Sequence, residues 1–407
     1  MTIPFDKFSV DNVKQELQKI WPNFEIAAYA LYDSERVYLF NHPSYLNEPQ
    51  GFKILPWNEQ FAGSTVILFE NYPTAIHQID QNISLNKQFS IIAHELFHAY
   101  QYLKNEKRFP NEVLGITYPL IKENMELRVK ERSHLYEAVK SNSQEEMKKH
   151  LETFISIREQ RKKFIGEYLS YETNIETVEG PAFFFELQTY LNSCESSFKK
   201  EIKEYSQFFL DPYKVNESTR IASCSSGLFI SICIDRLYKN WKDTFFQSKL
   251  SLYDQLKEYL PMTTYRTNIS CNDEMLYDSI IQKINEFRMT QIQQYLEQNP
   301  YQVTILGNFN IKSFDPMNII TSGNLQLHYH FLSIESNDNK RFFIQRPVVT
   351  FFKENFLTVE KIKFSLPEKP EIKNHCLVIE GVGEFEGNIL ERSSISKLPS
   401  YEMRRIF

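Results

Sequence analysis

The chain has 407 residues and a formal net charge of −6, with 11 Gly, 33 Phe and 23 Tyr. This length is sufficient for two domains with sizeable cores, and the aromatic-rich, glycine-poor composition argues against a disordered chain. Because the net charge is negative, the chain lacks the excess of basic residues that nucleic-acid binding requires, and no nucleic-acid partner is expected.

The sequence predicts a cytoplasmic protein that does not enter a membrane. The segment Met1–Lys7 lacks the charged region and following apolar stretch of a secretory signal peptide. The longest apolar run, Leu228–Ile234, is far too short to cross a bilayer. The five cysteines are scattered and form no CxxC motif, so we expect free thiols in a reducing compartment. The sequence does not indicate an oligomeric state.

The N-terminal part of the chain is expected to form one helix and a small sheet. Residues 8–20 predict the helix. Ile26–Tyr32 and Arg36–Phe40 predict two strands of a hairpin joined by a short polar turn. Val66–Glu70 predicts a further strand just before the next helix.

Residues 84–101 predict a helix that carries the sequence HELFH at His94–His98. No Gly or Pro interrupts this segment, and Leu85, Phe89 and Ile92 begin an apolar face at helical spacing. Ser84 is expected to be the N-cap.

The HELFH sequence fits the HExxH pattern of zinc metallopeptidases. Residues i and i+4 lie on one face of a helix, so His94 and His98 can bind one Zn²⁺ through their ring nitrogens. Glu95 can then reach a zinc-activated water and act as the general base.

A catalytic zinc site needs a third protein ligand. The extended pattern HExxHxxGxxH is absent, because Gln101 and Lys104 stand where its Gly and third His would be. The best candidate is Glu179, which is followed by Gly180–Ala182. We expect Glu179 at the start of a helix, since Pro181 is tolerated in a first turn and not in a helix interior.

Three other carboxylates compete with Glu179 for this role. Glu172, Glu176 and Glu186 fall on the same stripe, and the residue pattern does not eliminate them. Glu172 and Glu186 are expected on a solvated face, whereas a strongly apolar stretch follows Glu179. Glu176 lies one turn before Glu179 and is a candidate acceptor for a ligand histidine.

Two long amphipathic helices are predicted between the HExxH helix and Glu179, as a helical hairpin inserted at about residues 115–170. Ser143 and Glu146 form a capping box at the second of them. With this insertion, the HExxH motif, the E-G-x-A sequence at Glu179–Ala182 and the downstream segment Ser225–Trp241 resemble a group of largely uncharacterised bacterial HExxH proteins, which are gluzincin-like peptidases. The resemblance covers roughly residues 25–260.

This resemblance implies a zincin-like metallopeptidase domain that binds Zn²⁺ through His94, His98 and Glu179 and acts on a peptide or protein substrate. In zincins, an edge strand of the small sheet binds extended peptide by backbone pairing. A second group should stabilise the oxyanion. The sequence does not identify it, and the candidates are Arg220, Tyr213 and His134.

A change from helical to strand periodicity near residue 300 predicts a second domain. Its predicted strands are Val303–Phe309, Leu325–Phe331, Arg341–Phe352, Leu357–Phe364 and Cys376–Phe385. His328 and His330 are expected on a solvent-facing side of one strand. The predicted fold class is therefore α+β, with a mainly helical zincin-like domain and small N-terminal sheet in residues 1–298, followed by an antiparallel β domain in residues 299–407.

The sequence as a whole predicts a zinc-dependent hydrolase, and first of all a metallopeptidase. One alternative is a binding or structural protein with a vestigial zinc site. The intact Glu95 argues against it, because a structural site has no need of a general base. Another alternative is a metal hydrolase of a non-peptide amide, which the residues do not separate from a peptidase.

Overall fold

The computed structural model describes residues 5–194, 196–261, 269–373, 376–386, 388–393 and 399–404. Residues 1–4, which belong to the segment used to judge a signal peptide, lie outside the described residues. The fold is α+β, with a small N-terminal sheet, a mainly helical middle and a later, largely antiparallel sheet. This coarse architecture was predicted from the sequence.

The helices of the described residues are α1 (Val10–Ile20), α2 (Leu85–Leu103), α3 (Glu112–Ile116), α4 (Lys122–Lys140), α5 (Gln144–Ile165), α6 (Tyr168–Ser193), α7 (Phe198–Tyr205), α8 (Gln207–Leu210), α9 (Pro212–Glu217), α10 (Thr219–Leu237), α11 (Trp241–Thr244), α12 (Leu252–Tyr259) and α13 (Glu274–Glu297).

The strands are β1 (Ala28–Tyr32), β2 (Arg36–Phe40), β3 (Phe52–Pro56), β4 (Thr65–Phe69), β5 (Tyr72–Gln78), β6 (Tyr301–Phe314), β7 (Ile319–Ser322), β8 (Leu325–His328), β9 (Leu332–Ser336), β10 (Arg341–Ile344), β11 (Val348–Phe352), β12 (Thr358–Leu366), β13 (Glu371–Lys373), β14 (Cys376–Ile379), β15 (Gly383–Glu386), β16 (Asn388–Ser393) and β17 (Pro399–Arg404).

The chain divides into two compact units, one of residues 1–111 and 119–274 and the other of residues 112–118 and 275–407. The division therefore falls at the beginning of α13, whereas the sequence analysis placed the boundary after it, at residues 298–299. The physical reason is the packing of α13: its Ile292 and Tyr295 form one buried cluster with Leu327 and Val349 of the later sheet.

The N-terminal sheet of the first unit has the strand order β3-β2-β1-β5-β4. Its central strands β1 and β5 run parallel, and the other neighbours are antiparallel. The predicted strands correspond to β1, β2 and β4. The sequence analysis missed β3 and β5, and β5 contains Pro73, Thr74 and His77 instead of a clear apolar alternation. α2 packs along β5 and also contacts β4.

Helix α6 is the central helix of the first unit and packs against α2 and α10. It begins at Tyr168, so the prediction that a helix starts near Glu179 is wrong. Pro181 lies inside the helix, where its missing N–H leaves the Thr177 carbonyl without the usual helical donor. Two contacts from outside the helix bind this turn: Gln101 Nε2 donates to the Val178 carbonyl at 2.7 Å, and Leu252 N donates to Thr177 Oγ1 at 2.8 Å.

The segment where a hairpin was predicted contains α4 and α5, which pack against each other. The Ser143 side chain accepts a hydrogen bond from Glu146 N, as expected for an N-cap. The Glu146 carboxylate accepts from Asn142 N at 3.4 Å, one residue before the position that a capping box requires.

In the second unit, the main sheet has the strand order β10-β9-β6-β12-β11-β8-β7, and β17 pairs in parallel with the beginning of β6. A smaller sheet has the order β13-β14-β15. No helix in the described parts of the chain has the length and apolar character needed to cross a membrane.

Candidate metal centre

Helix α2 places the two histidines of the HExxH motif on one face. Ser84 caps its first turn by accepting a hydrogen bond from Lys87 N at 3.2 Å, as predicted. The Nε2 atoms of His94 and His98 lie 3.0 Å apart. Both rings therefore direct their Nε2 atoms to one point.

Glu179 of α6 completes a triad with these histidines. Its Oε2 lies 3.3 Å from His98 Nε2 and 3.8 Å from His94 Nε2. A tetrahedral zinc ion with bonds of ~2.0–2.1 Å places its ligand atoms ~3.3–3.4 Å apart. Among the described residues, no other group of three or more His, Cys, Asp or Glu side chains converges in this way. The three donor atoms thus converge closely enough to hold a single metal ion.

The outer nitrogen of each histidine ring lies near a side-chain oxygen. His94 Nδ1 lies 3.1 Å from Glu186 Oε2, and His98 Nδ1 lies 2.8 Å from Gln101 Oε1. A proton held on Nδ1 leaves the lone pair of Nε2 available for a metal. Glu186 and Gln101 therefore favour the tautomer that metal binding needs.

The two outer residues are themselves held in place by further contacts. Lys87 Nζ lies 2.7 Å from Glu186 Oε1, and Tyr205 donates a hydrogen bond to the same oxygen at 3.3 Å. Gln101 is 1% exposed and binds the Val178 carbonyl of α6. Gln101 thus connects the ligand His98 to the helix that supplies Glu179.

The predicted roles of the three competing carboxylates are wrong. Glu172 and Glu186 were expected on a solvated face, but they are only 0% and 6% exposed. Glu186, and not Glu176, lies beside a ligand histidine. Glu176 instead binds Arg158 and accepts a hydrogen bond from Ser226.

Glu172 and Glu176 belong to a buried ion-pair network between α4, α5 and α6. Arg158 Nη2 donates to Glu131 Oε1 and to Glu176 Oε1, both at 2.8 Å. Arg161 contacts both Glu131 and Glu172. These side chains are essentially inaccessible to solvent, so the network fixes the first half of α6 to the α4–α5 hairpin.

The charges around the triad shift the pKa values of its carboxylates. Burial alone would raise the pKa of Glu179, but His98, His94 and Arg220 together lower it to about 2. Burial would likewise raise the pKa of Glu186, but His94 and Lys87 lower it to about 2. Both carboxylates are therefore anionic at neutral pH and suited to a cationic neighbourhood.

The pKa values of His98 and Glu95 are raised instead of lowered. Burial would lower the pKa of His98, but the carboxylates of Glu179 and Glu95 and the hydrogen bond to Gln101 raise it to about 9 in the absence of metal. For Glu95, burial raises the pKa, with Glu179 and Glu186 adding to the increase and His94 and His98 opposing it. A raised pKa makes Glu95 a better proton acceptor than an exposed carboxylate.

Of the three oxyanion candidates, Arg220 contacts the triad. Its Nη2 donates to Glu179 Oε1 at 3.0 Å. His134 lies on α4, with its Nδ1 3.2 Å from Nδ1 of His150 on α5. Tyr213 lies in the first turn of α9, where its backbone N–H donates to Asp211.

The sequence analysis missed the roles of Glu186 and Gln101, although the sequence contained a signal for each. Gln101 is three residues after His98, and therefore on the same face of α2. Glu186 is seven residues after Glu179, which is two helical turns along the same face of α6. Both residues are therefore predictable from their spacing along the helix faces that carry the triad.

Comparison of this sequence with protein-family models gives no match, and neither a curated protein nor a solved structure matches the chain.

Proposed function

We propose that this protein is a zinc metallopeptidase in which His94, His98 and Glu179 hold the metal and Glu95 is the general base. The observation that carries the proposal is the convergence of the two Nε2 atoms and Glu179 Oε2, separated by 3.0, 3.3 and 3.8 Å. These separations lie on either side of the ~3.3–3.4 Å expected between two ligands of one tetrahedral zinc ion, so small side-chain adjustments would bring all three atoms onto one metal. A triad of protein ligands also leaves one position open, which is typical of a catalytic zinc site and not of a structural one.

Glu95 has the position and the environment of a general base. It follows the first ligand directly in sequence, it is half-buried, and burial raises the pKa of its carboxyl. Its carboxylate takes a proton from the attacking water and passes it to the leaving amine. A zinc ion held by the triad would act as a Lewis acid that polarises the scissile carbonyl and activates the water.

The N-terminal sheet supports a peptide as the substrate. β4 is a terminal strand of this sheet and runs antiparallel to β5. It also contacts α2, the helix that carries the histidines. An extended peptide can add to such an edge by backbone hydrogen bonding, and this would bring a peptide bond towards the metal.

The test measures metal content first and turnover second. Purified protein should contain one zinc per chain, and a peptide library should yield a cleaved sequence. Glu95→Gln should retain the zinc and lose at least ~10²-fold in turnover, because Gln keeps the size of the side chain but accepts no proton. A matched control is Glu16→Gln, which changes a partly exposed carboxylate that is paired with Lys19 and lies on a different helix from the triad.

Three results would contradict the proposal. If the folded protein binds no zinc, the triad is not a zinc site. If the Glu95→Gln variant cleaves the identified peptide at the wild-type rate, Glu95 is not the general base. If zinc is bound but no peptide is cleaved, a binding protein with a non-catalytic metal site is favoured.

A further inference from the structure

The two oxygens of the Glu179 carboxylate have different partners. Oε2 faces the Nε2 atoms of His94 and His98. Oε1 accepts a hydrogen bond from Arg220 Nη2 at 3.0 Å. Arg220 is the second residue of α10, so this contact joins the ligand helix α6 to a different helix.

The contact is shielded from solvent. The side chains of Arg220 and Glu179 are 24% and 16% exposed. A hydrogen bond between a guanidinium and a carboxylate is of the strong, charge-assisted type, and partial burial reduces screening by water and salt. The pair is therefore expected to persist in solution, unlike most ion pairs on a protein surface.

The position of Arg220 does not depend on this ion pair alone. Two turns further along α10, Gly227 lies in direct contact with Gly180 of α6. Beside it, Ser226 donates a hydrogen bond to Glu176 at 2.5 Å. These contacts fix α10 against α6 and place the beginning of α10 next to Glu179.

We propose that Arg220 is a positioning residue that makes Glu179 bind the metal through one oxygen only. This inference rests on the proposed function, because it requires that the triad binds a metal. A carboxylate whose two oxygens are both free can chelate a metal and occupy two coordination positions. By holding Oε1, Arg220 keeps the second position open for water and for the substrate carbonyl.

Metal affinity alone does not test this role. Loss of Arg220 would remove a cation that repels the metal, and it would also remove the contact that orients Glu179. The first effect would raise the metal affinity and the second would lower it, so the net change is not informative. The coordination number of the metal does test this role, because the loss of a merely structural ion pair would leave that number unchanged.

The coordination number can be read from the visible spectrum of the full-length protein loaded with Co²⁺. The absorption bands of Co²⁺ lose intensity when a fifth ligand atom is added to a four-coordinate site. We expect Arg220→Met to show this loss relative to wild type, because Glu179 Oε1 is then free to bind. Arg220→Lys should restore intensity, since a single N–H donor makes the contact in the structure. Should Arg220→Met not fold, Arg220→Ala removes the same N–H donors with a smaller side chain.

Arg236→Met is the matched control. Arg236 lies in the last turn of the same helix and donates to the carbonyls of Val139 and Ser141, so its loss perturbs α10 without touching Glu179. This variant should keep the wild-type cobalt spectrum even if its thermal stability falls.

The possible failures are distinguishable. Wild-type protein that takes up no Co²⁺ or Zn²⁺ would overturn the proposed function, and this inference with it. Wild-type protein that takes up Co²⁺, together with a folded Arg220→Met or Arg220→Ala variant whose spectrum matches wild type, would overturn the role of Arg220 alone. The same holds if Arg236→Met changes the spectrum as much as Arg220→Met does.

Discussion

Gly180 on α6 and Gly227 on α10 touch through their backbones. A Cβ added at Gly180 would lie 2.5 Å from the carbonyl carbon of Gly227, and one added at Gly227 would lie 2.7 Å from the carbonyl oxygen of Glu176. Such distances are far below van der Waals contact. Because Gly180 follows Glu179 directly, this crossing of two helices fixes the position of Glu179, the proposed third metal ligand.

Replacing Gly180 with Ala should therefore destabilise the protein. In an ordinary helix interior the change from Gly to Ala adds about 1 kcal/mol of stability, but here the added methyl group meets backbone that cannot move aside. We expect a loss of about 1–3 kcal/mol, as for other overpacked positions. Urea unfolding measures it, and zinc titration of the folded variant should show weaker binding because Glu179 is displaced. A gain in stability would show that the helices separate easily at this point.

Glu186 should affect metal binding although it is not a ligand. Glu186→Gln removes the charge that lies 3.1 Å from His94 Nδ1, so His94 loses the partner that favours a free Nε2. Changes of this kind weaken metal binding by about 10–100-fold. Competition with a zinc indicator measures the affinity. Glu159→Gln is a suitable control, because Glu159 is paired with Lys257 and Tyr253. Equal affinities for wild type and Glu186→Gln would show that His94 is oriented by packing alone.

The triad that the structure brings together could be predicted from the sequence, whereas most of the surrounding contacts could not. His94 and His98 follow from the spacing of the HExxH motif, and Glu179 was selected from four carboxylates by its E-G-x-A context. The burial of Glu172 was missed because its cations, Arg128 and Arg161, come from other helices. A stripe of carboxylates is typical of a solvated helix face unless cationic side chains that are distant in sequence neutralise it. A single amino-acid sequence does not show which cations these are.

The start of α6 could not be predicted for a related reason. Pro181 indicates a first turn by local rules, yet here it lies inside the helix. The hydrogen bonds from Gln101 and Leu252 to this turn are tertiary contacts. Local propensity therefore gave the wrong helix boundary, although Glu179 does lie beside the two histidines.

Removing one partner from the buried ion-pair network should lower the free energy of unfolding strongly. Arg158→Met would leave Glu131 and Glu176 in the protein interior without their shared cation, and the expected loss is about 3–5 kcal/mol. Lys149→Met, on the same helix, removes an exposed partner of Glu145 and should cost less than about 1 kcal/mol. Urea unfolding of both variants gives the comparison. Similar losses in the two variants would mean that water enters the network.

His328 was predicted to face solvent, and this prediction is wrong. Its side chain is 1% exposed, and its Nε2 lies 3.3 Å from Thr350 Oγ1. His330, two residues later, is exposed and lies 2.8 Å from Asp315. Strand β8 ends at His328, so the alternation that would put both histidines on one face does not continue.

Burial lowers the pKa of His328 to about 3, which predicts a pH dependence of stability. In the unfolded chain the pKa of histidine is about 6.5, so between these two values the unfolded state binds a proton that the folded state does not. The free energy of unfolding should therefore fall as the pH is lowered below about 6.5, by up to ~1.4 kcal/mol per pH unit. Urea unfolding at pH 7 and pH 5 should show a smaller pH effect in His328→Asn than in wild type. His330→Asn changes an exposed ring and should retain most of the wild-type dependence, and a His328→Asn variant with the full dependence would show that His328 is protonated in the folded protein.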